Sequence, residues 1–229
     1  MQVAIQVSEL RFSTEDGVLI LDNLSFGVPR DGFVFVVGPP SSGKTLLLRL
    51  ILRELTPTGG QILLIGRNVA RLSRRKVAEL RRRVGYVPEE PVVLSSRTVA
   101  DNLAFKLRAL GLTGEELADE RDRALELAGL VGLEDQVAGE LGEVDRRRLA
   151  LALALCPEPT VLLCDDPFRD LPLRAQDELV QALSRVHRAN TAILATTRDV
   201  NLPARHGFPA EAGEGSPWRV VRLRDGVNP

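Results

Sequence analysis

Cysteine, lysine, aromatic residues and long apolar runs are all scarce in this 229-residue sequence. Cys156 and Cys164 are the only cysteines, and each sits in an apolar run. That leaves no disulfide framework and no thiol metal site, so both thiols read as core residues in a reducing, cytosolic setting. Only Lys44, Lys76 and Lys106 are lysines among 30 basic residues, so positive charge is carried almost wholly by arginine. With 31 acidic residues the net charge is −1, which argues against a bulk polyanionic partner such as nucleic acid. The longest apolar runs, such as LALALALC (149–156), fall far short of the roughly 18–20 residues of a membrane span. MQVAIQVSELRF has no basic segment followed by an apolar one, so secretion is not expected. What is present is ordinary core material, 44% hydrophobic and 27% charged, enough for one large globular domain.

The first third reads as strands and turns. Residues 2–7, 18–28 and 33–37 are rich in β-branched and aromatic side chains, with Asp31-Gly32 as a turn. A Gly/Pro/Ser loop follows, then a helix over 45–55 closed by Pro57 and Gly59-Gly60, then a strand over 61–66. From about 70 to 156 the spacing is helical and Arg-rich, with helices over 74–83, 97–111, 115–132 and 145–155. Strand character returns at 159–167 and 191–197, around a helix over 177–188. A Gly/Pro-rich stretch, 202–218, reads as a surface loop before a last strand over 219–226. The arginines at 74, 75 and 81–83, with Lys76, read as a solvated helix face.

Two motifs carry chemistry. GPPSSGKT (38–45) fits G-x-x-x-x-G-K-[ST] and lies between an apolar strand and a helix. Gly38 and Gly43 permit backbone turns whose N–H groups face phosphate oxygens, Pro39, Pro40, Ser41 and Ser42 complete the loop, and the helix that begins near Gly43 adds its positive end. Lys44 supplies a cation to the outer phosphates and the Thr45 hydroxyl a ligand for Mg²⁺. VLLCDDP (161–167) is an apolar strand that ends in Asp165, suited to hold Mg²⁺ through water, with Asp166 beside it.

The order of these pieces, with a helical insert between them, resembles the ATPase subunits of ABC transporters along essentially the whole chain. RRRVGYVPEEPVVLSSRTVADNLAF (81–105) resembles their Q-loop region, and ELGEVDRRRLALALALCPEPTVLLCDDP (140–167) their signature helix and Walker B strand. GRNVARLSRRKVAELRRRVGYV (66–87), RTVADNLAFKLRALGLTGEEL (97–117) and LATTRDVNL (194–202) are similar to the FtsE group of cell-division ATPases and to the lipoprotein-release and macrolide-export ATPases. The resemblance implies Phe12 as the aromatic under adenine, and Glu89 at the Q-loop position as a metal ligand. It also implies Asp166 as the catalytic carboxylate, working with Lys44 and Glu89 in hydrolysis.

Several positions depart from that family's pattern. Glu89 replaces Gln, and a carboxylate cannot donate the amide hydrogen bond. Asp166 replaces Glu, and one lost methylene withdraws the carboxylate by about 1 Å, enough to cost a large factor in rate. Thr197-Arg198-Asp199 stands where a switch His is expected, and Arg198 is a cation available to the γ-phosphate if it points inward. The loop normally similar to SALD reads RDLP (169–172). The LSGGQ signature appears as LGEVD (141–145): Gly142 lacks the hydroxyl, while Glu143 and Val144 add side chains where close backbone approach is required. Glu143 and Asp145 equally suit the first turn of a helix.

The resemblance therefore implies an α/β P-loop NTPase of ABC-ATPase type. Its mixed-sheet, RecA-like core spans about 1–88 and 157–229, with an antiparallel β edge and a helical subdomain over about 89–156. The expected ligands are ATP and Mg²⁺. The expected role is a weakly hydrolysing cytoplasmic subunit on the inner face of the cell membrane, pairing with itself or a paralogous ATPase and with an FtsX-like permease. The alternative is a catalytically inactive ATP-binding scaffold beside an intact paralogue. A soluble DNA-repair or translation ATPase is disfavoured, since the chain has neither a coiled-coil insertion nor a second cassette.

Overall fold

The computed structural model describes residues 3–208 and 218–223. In chain order the elements are β1 (Val3–Ser13), β2 (Leu19–Pro29), β3 (Phe33–Val37), α1 (Lys44–Ile51), β4 (Gly59–Leu64), β5 (Arg67–Asn68), α2 (Arg74–Arg81) and β6 (Val84–Val87). They continue with α3 (Val99–Ala109), α4 (Gly114–Ala128), α5 (Glu143–Ala154), β7 (Val161–Cys164), α6 (Leu173–Arg188), β8 (Ala192–Thr197), α7 (Leu202–Arg205) and β9 (Trp218–Arg222).

Two sheets organise the chain. β2-β1-β4-β5 is antiparallel, and β6-β7-β8-β3-β9 is parallel throughout. The parallel sheet is buried on both faces, which is why β3, β7 and β8 read as continuous apolar runs. Alternation sorts their side chains between two cores. Phe33, Phe35, Leu162, Cys164, Ile193 and Ala195 face one apolar cluster, which also takes in the inner faces of α3, α4, α5 and α6. Val34, Val36, Val161, Leu163, Ala192 and Leu194 face the other, with α1 and the antiparallel sheet. The helical segment thus buries its apolar faces in the same cluster as β3. Both cysteines are buried free thiols, and burial pushes Cys156 up to about 11.

The expected α/β fold with a helical insert is the observed one, and three local readings change. β6 was hidden in a stretch read as helical, because VGYV is only four residues long and follows RRR. α6 begins at Leu173, directly after Pro172, a turn earlier than its apolar spacing implied. Within the expected surface loop at 202–218, residues 202–205 form α7 with Leu202 and Pro203 buried; 209–217 and the expected strand's 224–226 lie outside the described residues.

Gly85 fixes how closely α5 approaches β6. A Cβ built there would lie 2.3 Å from the Ala154 carbonyl oxygen and 2.9 Å from Leu162 Cδ1. Gly85→Ala should therefore destabilise the chain by about 1–3 kcal/mol through overpacking. Urea unfolding measures it; an unchanged midpoint would mean that the end of α5 yields freely.

Candidate functional site

The loop between β3 and α1 is shaped by two left-handed residues, Ser41 (φ 64°) and Gly43 (φ 89°). Gly43 is the N-cap of α1, and a Cβ there would fall 2.8 Å from Leu21 Cδ2, so both conformation and space require glycine. Lys44 opens α1 but turns back into the loop. Its Nζ donates to the Gly38 carbonyl at 2.9 Å, the Pro39 carbonyl at 2.6 Å and Ser42 Oγ at 3.2 Å. Burial lowers the Lys44 pKa, opposed chiefly by the charge of Asp166.

Asp165 and Asp166 leave the end of β7. Asp165 accepts from Thr45 Oγ1 at 3.1 Å, from Thr196 Oγ1 at 3.1 Å and from the Tyr86 hydroxyl at 3.4 Å. Asp166 stands at φ 42°, a left-handed conformation that Asp tolerates better than most side chains. Its N–H donates to Thr196 Oγ1 at 2.9 Å, and its carboxylate pairs with Arg198 Nε at 2.9 Å. Burial raises both carboxyls above their ordinary range; Thr45 and Thr196 oppose this at Asp165, and Arg198 does so at Asp166.

Glu89, two residues beyond β6, is the centre of an arginine network. Arg198 Nη2 donates to Glu89 Oε1 at 2.6 Å, and Arg169 Nη1 bonds the same oxygen. Arg147 in α5 is 6% exposed and binds three carbonyls: Glu89 at 3.3 Å, Pro167 at 3.2 Å and Arg169 at 2.9 Å. It also pairs with Glu143 at 3.0 Å, while Arg148 bridges Asp145 at 3.0 Å and Glu178 at 2.7 Å. One buried guanidinium thus ties α5 to the segments that follow β6 and β7.

A cleft of about 260 Å³ is lined by Pro40, Ser41, Gly43, Lys44 and Thr45 of the loop, with Ile20, Leu46, Glu89, Asp165, Asp166 and Arg198. Of the residues expected here, Gly38, Pro39 and Ser42 serve from behind, through the carbonyls and hydroxyl that hold Lys44. Arg198 does point inward. Phe12 stands apart from the cleft lining: it lies in β1 opposite Leu21, packed at the edge of the second core. Glu89 is present, but its carboxylate is engaged by two arginines. Arg147, Thr196 and Tyr86 escaped the sequence reading. The i,i+4 spacing of Glu143 and Arg147 was the available signal for the first; the other two reveal themselves only when β6 and β8 flank β7.

The donors fit a magnesium–nucleotide. Thr45 and Asp165 present a hydroxyl and a carboxylate within hydrogen-bond distance of each other, oxygen donors suited to a hard cation. The left-handed residues Ser41 and Gly43 shape the loop ahead of α1, whose N-terminus suits an anion.

The ABC transporter family model matches residues 21–169. The cell division ATP-binding protein FtsE of Mycobacterium tuberculosis (strain ATCC 25618 / H37Rv) is 33% identical over 179 residues, covering 78% of each chain. Among solved structures, cbiO1 from Clostridium perfringens, part of the ABC transporter complex cbiONQ, superposes with a TM-score of 0.89 at 23% identity, covering 100% of this chain and 87% of that one. A dimeric ATP-binding cassette in a post-hydrolysis state, bound to ADP and Pi, superposes with a TM-score of 0.79 at 22% identity, covering 98% and 96%. At these identities the two structures speak for the fold.

Arg147→Ala should destabilise the chain by at least about 1–3 kcal/mol, the cost of leaving buried carbonyls unpartnered. Arg147→Lys should recover only part, because an ammonium cannot reproduce the guanidinium fork. Denaturant unfolding of both variants checks this; equal stability of wild type and the alanine variant would remove Arg147 from its bridging role.

Proposed function

The chain belongs to the ABC transporter ATP-binding family, and from that premise we propose that it is an FtsE-like subunit which binds Mg-ATP and hydrolyses it slowly. The observation that carries this is the loop before α1, with Ser41 and Gly43 left-handed, Lys44 held inside it, and Thr45 bonded to Asp165. Lys44 supplies the cation for the outer phosphates, and Gly38, Pro39, Pro40, Ser41, Ser42 and Gly43 shape the cradle. Thr45 and Asp165 would hold Mg²⁺, which supplies charge neutralisation to the phosphates when bound. Phe12 is the proposed adenine contact, at the edge of β1.

Hydrolysis is the weaker half of the activity. Asp166 is a short carboxylate already paired with Arg198. Glu89, the second catalytic and metal candidate, is engaged by Arg169 and Arg198. Each carboxylate so paired must first be released from its guanidinium partner before it can orient a water. These pairings also favour the alternative, an ATP-binding scaffold that works beside an intact paralogue.

The proposed setting is cytoplasmic, peripheral on the inner face of the membrane, with an FtsX-like permease as partner. Among the described residues no helix is long and apolar enough to cross a membrane, so attachment would come through that partner.

Fluorescent ATP analogue should bind the wild type and lose about one to two decades of affinity in Lys44→Ala, the worth of one charge-assisted contact. Equal affinities would sink the nucleotide assignment, and phosphate release from the same pair separates slow turnover from none. ATP-driven homodimers should be weak, because α5 opens with Glu143 and Val144 where a partner's phosphate would approach. Replacing both, Glu143→Gly with Val144→Gly, should promote dimers seen by light scattering with Mg-ATP under non-hydrolysing conditions. Tight dimers of the wild type would overturn this.

A further inference from the structure

The charged groups lining the cleft are two cations, Lys44 and Arg198, and three anions, Glu89, Asp165 and Asp166. A polyphosphate entering it meets more negative than positive charge. Both cations are also already engaged. Lys44 is held on two carbonyls and a hydroxyl within the loop, neutral acceptors that a phosphate can displace or share. Arg198 is held on two carboxylates, Asp166 at 2.9 Å and Glu89 at 2.6 Å. Its competitors are therefore full charges, and a ligand recruits it only by offering more.

The arrangement around Glu89 makes that exchange feasible. The oxygen that accepts from Arg198 also accepts from Arg169, which is not among the residues lining the cleft. Glu89 can thus lose Arg198 and remain paired, and a partly buried carboxylate with a cation left beside it costs far less than one with none. Arg198 enters the cleft beside Asp166 and Glu89 at the ends of β8, β7 and β6, and the loop before α1 closes the cleft. In such loops the backbone cradles the inner phosphates, so a side chain facing the loop meets the phosphate that projects beyond it.

Resting on the nucleotide-binding reading above, we propose that Arg198 and Glu89 form a competitive latch that makes this cleft select nucleoside triphosphates over diphosphates. The terminal phosphate draws Arg198 off Glu89, whose charge passes to Arg169 alone; a diphosphate leaves the pair closed. Because Glu89 lies between β6 and α3, opening the latch also removes one tether between the parallel sheet and the helical segment. The tether through Arg147, which holds the Glu89 carbonyl, stays in place.

Competition has a signature that a structural role lacks: the two latch residues act in opposite directions. Equilibrium titrations of the full chain with ADP and with ATPγS, in the presence of Mg²⁺, would be made on wild type, Arg198→Gln, Glu89→Gln and Lys44→Ala. Arg198→Gln should weaken ATPγS by about tenfold to a hundredfold, the worth of one charge-assisted contact, and leave ADP unchanged. Glu89→Gln keeps the shape, frees Arg198 from one anion, and should raise the ratio of ATPγS to ADP affinity, since any lost metal contact falls on both nucleotides alike. Thermal unfolding without nucleotide checks that each variant is folded; if either glutamine variant is not, Arg198→Lys and Glu89→Asp, which weaken the latch without removing charge, should shift that ratio in the same opposite senses. The latch is overturned if Arg198→Gln changes both nucleotides alike or neither, or if Glu89→Gln lowers the ratio of ATPγS to ADP affinity or leaves it unchanged. In those cases wild-type binding that is lost in Lys44→Ala keeps the nucleotide assignment standing. Wild type that binds neither nucleotide overturns both.

Discussion

Burial of both faces of the parallel sheet constrains everything else in this chain. With two apolar clusters covering the sheet, the carboxyl ends of its strands are the place where polar side chains can converge without being entombed. Four neighbouring strands use that place. β6 leads to Glu89, β7 to Asp165 and Asp166, β8 to Arg198, and β3 to the loop that ends in Lys44 and Thr45. Adjacent strands are about 4.8 Å apart, so groups more than a hundred residues apart in sequence arrive within roughly 15 Å of one another. The strand order, and no local motif, makes them a site.

Charge distributes the work within that site. Lys44 and Asp165 are satisfied by neutral groups, a lysine on carbonyls and a carboxylate on hydroxyls, which leaves each able to take a ligand. Asp166 and Glu89 are ion-paired to guanidinium groups instead, and so are tied to a cation in the resting chain. The same preference for arginine recurs in α5, where Glu143 and Asp145 at the first turn lean back onto Arg147 and Arg148. Side chains that crowd the helix N-terminus are thereby partly drawn along the helix.

Much of the site was legible because its elements are contiguous. GPPSSGKT and VLLCDDP each carry turn and chemistry beside or within a strand, and the β-branched and aromatic run FVFVV identified a strand that is buried on both faces. Glu89, Asp166 and Arg198 were each recognisable as departures from a family pattern. Their mutual pairing was not, since it arises from strands brought together by crossovers. Arg147 was one arginine in a run of three, and only burial distinguishes it from Arg146 and Arg148. β6 was missed because four residues with a central glycine carry too little periodicity to outweigh the helical text around them. Phe12 was placed by analogy, and β1 sets it at the sheet's edge, beyond the cleft lining.

The shared oxygen of Glu89 has an evolutionary consequence. With glutamine at 89, two guanidinium groups lose their common anion while Arg169 keeps Asp170 and Arg198 keeps Asp166; without Arg198, Asp166 loses the only cation that pairs with it among the described residues. Exchanging Glu89 or Arg198 alone for an uncharged residue therefore shifts the charge beside the phosphates in opposite directions, whereas exchanging both leaves it balanced, so the two positions are coupled in how the sequence can change.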